Sequence, residues 1–97
     1  MSAASAKATA NRSARIVAGR KAIGLAFAKA RYQLQLSVAE VAERTGLTAT
    51  QVEGFESGGR RQPVERFVRM CTALELDARD IIGIADRAMQ AAVPTLD

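Results

Sequence analysis

The sequence predicts an all-α fold of five helices, on three observations. The apolar residues are mostly Ala and Leu, aromatics make up only 4% of the 97 residues, and there is no Trp. That composition favours helix over sheet. Apolar positions recur three, four or seven apart in successive segments, and no segment shows the two-residue alternation of a strand. Finally, Ser37/Glu40 and Thr48/Gln51 each stand at the spacing of a helix-starting capping box.

Taken in order, residues 1–13 have no large apolar residue after Met1 and read as a disordered basic tail, either idle or an arm lying along a polyanion. A first helix is expected from about 15 to 35, with Ile16, Ile23, Phe27, Ala30 and Leu34 on one face. Ser37 opens a short second helix. In its box each side chain takes a backbone N–H that the helix leaves free, and Leu36 with Val41 forms a hydrophobic staple. Val38, Val41, Ala42 and Thr45 make its inner face, and Gly46 stops it by accepting the left-handed conformation. The device repeats at once with Thr48/Gln51 and Leu47/Val52, giving a third helix that runs to about Ser57 and stops at Gly58-Gly59.

A basic loop follows, and Pro63 suits the first turn of a fourth helix whose buried stripe is Val64, Phe67, Val68, Cys71 and Leu74. Asp77 and Asp80 open an extended C-terminal helix, their charge favouring the positive end of its dipole. Ile81, Ile82, Ile84, Ala85, Ala88 and Met89 carry it towards Ala92, and Pro94 ends it. The domain is thus expected over 14–93, with two capped helices and their turn at about 37–57 and a short tail at 94–97. Two short helices joined by such a turn are the sequence form of a helix-turn-helix.

The chemistry is narrowed by what is missing. There is one cysteine, Cys71, and no histidine. That excludes an internal disulfide, the usual zinc sites and Cys/His or Ser/His/Asp catalysis. No enzyme activity, metal or cofactor is expected. No stretch approaches the ~20 apolar residues of a membrane span, and the basic, small-residue start lacks a signal peptide's apolar core. A cytoplasmic, nucleoid-associated location is expected, a transit-type leader being the alternative. The net charge of +4 is uneven: residues 1–36 hold seven basic residues and no acid, whereas residues 37–97 hold seven arginines against ten acids. A basic third attracts polyanions, or simply keeps a helix face solvated.

Residues 23–82, IGLAFAKARYQLQLSVAEVAERTGLTATQVEGFESGGRRQPVERFVRMCTALELDARDII, resemble the lambda-repressor/Cro-like, xenobiotic-response-element type of helix-turn-helix. Ala42, Gly46, Val52 and Phe55 stand at that family's small packing residue, turn glycine and recognition-helix core. Ile23-Gly24, Phe27, Arg31, Leu36-Ser37, Glu56, Gly58, Leu74 and Ile81-Ile82 also fit its spacing. The resemblance implies a five-helix DNA-binding domain, with the third helix in the major groove, the second across the backbone, and two copies on two-fold-related half-sites. It implies a sequence-specific transcriptional regulator, a repressor, bound to double-stranded DNA as a homodimer.

It also implies the contacts. Arg31 and Glu56 fall where relatives form a buried ion pair, the alternative being two separate surface charges. Ser37, Thr48, Ala49, Thr50, Gln51, Glu53 and Gly54 fall at or near DNA-facing positions, the alternative for Thr48, Thr50 and Gln51 being caps and solvent-facing polar residues only. Arg60 and Arg61, just after the recognition helix, suit phosphate clamps or else a solvated loop. Gln51 suits adenine, and Ala49 or Thr50 suits a thymine methyl. Glu53 repels phosphate unless it accepts from a cytosine amino group. Three departures stand out: Val38 replaces a frequent Gln, long readers are missing around Ala49 and Gly54, and Pro63 sits one residue late. Cys71 reads as a buried spacer. Met89 and the isoleucines before it are more often core than interface, but a domain this small has little core left to cover residues 84–93, so Ile84, Ala88 and Met89 are expected at a dimer contact. The second functional reading is a protein-interaction adaptor or antirepressor that keeps this fold and binds a protein partner.

Overall fold

A computed structural model describes residues 3–59 and 61–92. Among them are five helices and no strand: α1 (Ala3–Gln33), α2 (Val38–Thr45), α3 (Ala49–Ser57), α4 (Val64–Ala73) and α5 (Ala78–Ala92). α1 packs on α3 and α5, and α2 packs on α3 and α4. The core is one cluster to which every helix contributes: Phe27 and Ala30, Val41, Val52 and Phe55, Met70 and Cys71, and Ile81, with Leu36, Leu47 and Leu74 from the connections. Phe27 is its centre, meeting Phe55 edge-on at 5.6 Å between ring centroids and Phe67 at 5.7 Å.

α1 starts at Ala3, not near Arg15, so the tail expected over 1–13 is largely helix. The segment AASAKATANRSA is alanine-rich and has no Gly or Pro before Gly19. Such a sequence extends a helix already nucleated by the packed half downstream, because adding a residue to an existing helix avoids the nucleation cost. The packed half approaches its neighbours closely. A Cβ at Gly24 would stand 2.3 Å from the Glu56 carbonyl oxygen, so the α1 and α3 backbones touch there.

The two short helices begin as their local chemistry requires. Ser37 Oγ accepts from Glu40 N, and Glu40 Oε1 accepts from Ser37 N, both at 3.0 Å. Thr48 and Gln51 repeat the exchange at 3.1 and 3.0 Å. All four staple residues, Leu36, Val41, Leu47 and Val52, are buried. Gly46 and Gly58 close α2 and α3 at φ 74° and 66°. Thr45, buried between the helices, donates to the Val41 carbonyl at 2.8 Å and accepts from Leu47 N at 3.2 Å, which fixes the turn.

α1 and α4 end differently, without glycine. Gln35 and Glu75 hold φ of 56° and 58°. Leu36 N then donates to the Arg31 carbonyl at 3.1 Å, and Leu76 N to that of Cys71 at 2.8 Å. Each turn thus tucks a leucine back against the end of its helix.

Two expectations for α4 need correction. Val64 and Val68 are exposed, at 77% and 48%, and the buried face is Phe67, Met70, Cys71 and Leu74. Val64 lies in the first turn, before the helix reaches the core, and Val68 points about a quarter-turn away from it. Pro63 is the N-cap, with extended ψ of 145°, and not a residue of the first turn. Its carbonyl accepts from Arg66 N and Phe67 N.

α5 runs antiparallel along α1. A Cβ at Gly19 would lie 2.8 Å from Met89 Cγ, so Met89 packs on α1 within the chain. Ile84 packs against the core, and Ala88 is half-buried. The cover for Met89 comes from Gly19, inside the helix expected from about 15, whereas residues 12–17 of the longer α1 are exposed. Ile84, Ala88 and Met89 are each half-buried within the chain, which leaves only part of each side chain for the dimer contact expected on them. Ile82, by contrast, is 57% exposed, on the other flank. Pro94 lies outside the described residues.

Candidate nucleic-acid interface

α3 is amphipathic because of where its residues fall around the turn. Val52 and Phe55 enter the core, while Ala49, Thr50 and Glu53 face solvent, with Gln51 and Gly54 half-buried between. Beside this outer face lies a polar cleft of about 650 Å³. Thr50, Gln51, Glu53, Gly54 and Ser57 form its α3 wall, and Gly59, Arg61, Gln62 and Arg66 form the opposite wall from the loop and the first turn of α4. Two guanidinium groups against one carboxylate leave it positive. The structure thus brings Thr50, Gln51, Glu53, Gly54 and Arg61 together. Ser37, Thr48 and Ala49 are exposed but do not line the cleft, and Arg60 lies outside the described residues.

The caps limit what the polar side chains can offer. Ser37 and Thr48 commit an oxygen lone pair to a helix N–H but keep a hydroxyl hydrogen to donate. Gln51 Oε1 is held by Thr48 N at 3.0 Å. A bidentate contact to adenine needs both the amide oxygen and the amide nitrogen. With its cap intact, the Gln51 oxygen is held towards the backbone with one of its two lone pairs engaged, and the amide nitrogen is the group left fully free for an acceptor on a base edge.

Behind α3 an ion pair fixes its distance from α1. Arg31 Nε and Nη2 donate to the two Glu56 carboxylate oxygens at 2.7 and 2.9 Å, and Nη1 donates to the Leu36 carbonyl at 3.2 Å. The side chains are only 11% and 14% exposed. The hydrogen bond to Glu56 pushes the Arg31 pKa still higher, against the opposing effect of burial. Below α3's C-terminus lies an apolar hollow of about 280 Å³ between Ile23, Phe55, Val64, Phe67 and Ile82. Gln62 lines this hollow as well as the cleft.

Residues 22–81, which hold the α2–turn–α3 unit and this cleft, match the family of helix-turn-helix domains. The chain belongs to that family. No curated protein matches it. A helix-turn-helix domain points to a DNA-binding regulator, and the family is typically non-enzymatic. No helix among the described residues is long and apolar enough to cross a membrane.

Two cleft residues of this helix-turn-helix were missed from sequence. Arg66 is half-buried and reaches the cleft from the first turn of α4. Its signal was its place three residues after Pro63, on the side of the basic loop. Gln62 precedes Pro63, which biases it to extended backbone. Nothing local indicates that this turns it towards α3.

Proposed function

We propose that the protein is a sequence-specific transcriptional regulator of the lambda-repressor/Cro-like type, a repressor that acts by occupying promoter DNA. In this reading α3 enters the major groove, α2 crosses the backbone, and Arg61 with Arg66 lies against phosphate. The observation that carries it is the cleft itself: a positive, polar wall set against the outward face of the second helix of a capped helix-turn-helix. Two copies on related half-sites add specificity that one short α3 lacks.

The test is genome-wide mapping of DNA occupancy, followed by affinity measurements on the strongest site over a series of salt concentrations. Sharp enrichment, and an affinity that falls linearly in log–log form with salt, are expected. Glu53, exposed on the same face, favours a second reading as an adaptor that binds a protein partner. A map without enriched sites sinks the regulator and leaves the adaptor.

A further inference from the structure

α3 is nearly bare where it should meet bases. Ala49 and Gly54 offer almost no side chain, and the Gln51 oxygen is held by its cap. Yet the space over Gly54 is occupied. A Cβ placed at Gly54 would come 3.1 Å from Gln62 Nε2. The Gln62 amide therefore lies on the α3 surface at the one α3 position that has no side chain of its own. Gln62 is half-buried, and it takes no part in the Thr48/Gln51 cap. Its setting suits a fixed reach: it lines the apolar hollow beside Val64 and Phe67 as well as the cleft beside Arg61 and Arg66.

We propose that Gln62, laid from the loop across Gly54, is a specificity-determining residue that reads a base edge in place of the missing α3 side chain. This rests on the DNA-binding reading above. The Gln62 amide has no hydrogen bond among the described residues, and an amide presents a donor and an acceptor side by side. Adenine offers the complement, N7 as acceptor and N6 as donor, in the major groove. Arg61 and Arg66 flank the amide and supply attraction to phosphate without sequence information. Gly54 is then a clearance site, since any side chain there displaces the reader.

The experiment is selection from a pool of randomised duplex DNA, with the full chain as wild type, Gln62→Ala, Gln62→Glu and Gly54→Ala. The wild type should select adenine at one position of its site. Gln62→Ala should lose about 5- to 150-fold of discrimination there and keep the other positions. Its salt dependence and melting temperature should not move. Gln62→Glu, an acceptor without a donor, should turn the preference towards cytosine. Gly54→Ala should alter the same position while leaving α3 at least as stable, because alanine is the better helix former.

A Gln62→Ala protein that selects the wild-type site overturns the proposal. So does one whose affinity drops alike for every sequence with a shallower salt dependence, which identifies a phosphate contact. A pool from which the wild type itself enriches nothing overturns the DNA-binding reading and this inference with it.

Discussion

One guanidinium, that of Arg31, serves three acceptors: both Glu56 oxygens and the Leu36 carbonyl. It ties α1 to α3 and to the turn before α2. Removing Glu56 leaves a nearly buried cation with no counter-ion, only the Leu36 carbonyl and the face of the Tyr32 ring. Glu56→Ala should therefore cost on the order of 3 kcal/mol, read as a lower urea midpoint, and an unchanged midpoint would mean that the pair contributes nothing. Glu40 makes a gentler prediction. Its hydrogen bond from Ser37 N lowers its pKa from the usual 4.5. A carboxylate depressed on folding adds stability that is complete above its unfolded pKa and is lost as pH falls through its folded one. In the Glu40→Gln variant the amide can fill the same box without titrating. The melting-temperature difference between wild type and Glu40→Gln should thus shrink between about pH 5 and 3, and a constant difference across that range would rule Glu40 out as the titrating group. Not all of this could be read from the chain. The Glu40 box is local chemistry over four residues and was legible directly. Arg31 and Glu56 are 25 residues apart, and only the register given by the family resemblance joined them. Gln62 was not legible at all, because its role depends on where a loop folds back.

At the scale of elements, α2 and α3 were clear because their start and stop signals lie within each helix. α1 was not, since an alanine-rich basic segment reads equally well as a tail or as the extension of a helix nucleated elsewhere. The contact of Met89 with Gly19 was hidden for another reason: both lie in expected helices, but periodicity does not say which face of one helix meets which face of another. The stripe of α4 was displaced because periodicity gives a face but not how far along the helix the core extends. The non-glycine helix ends offer a test. Gln35 and Glu75 hold left-handed backbone at φ of 56° and 58°, which costs a side-chain-bearing residue about 1–2 kcal/mol. Gln35→Gly and Glu75→Gly remove that cost and lose part of the gain to the freer unfolded chain. A net gain of about 0.5–1 kcal/mol each is expected, visible as a higher melting temperature. A lower one would show that these side chains contribute more than their backbone strain takes away.

Across the whole molecule, the seven basic residues of positions 1–36 and the loop cations give a polyanion several places to act. Their contributions to binding are separable. Arg61→Ala and Arg66→Ala should each weaken every duplex alike and lower the log–log salt slope by about 0.9. If both leave the slope intact, the cleft does not face phosphate. Composition made the charge imbalance plain, but only the fold places Arg66 beside Arg61. The single core has a further consequence. Val52 and Phe55, on the inner side of α3, belong to the same cluster as Phe27, Met70 and Leu74. The outer side of α3 is therefore the back of the hydrophobic core and is in place before any ligand arrives. Chains that fold as they bind show a heat-capacity change that corresponds to burying about 1,000–3,000 Å². Calorimetric titration of duplex DNA at several temperatures should find only the heat-capacity change of the surface that the contact itself dries.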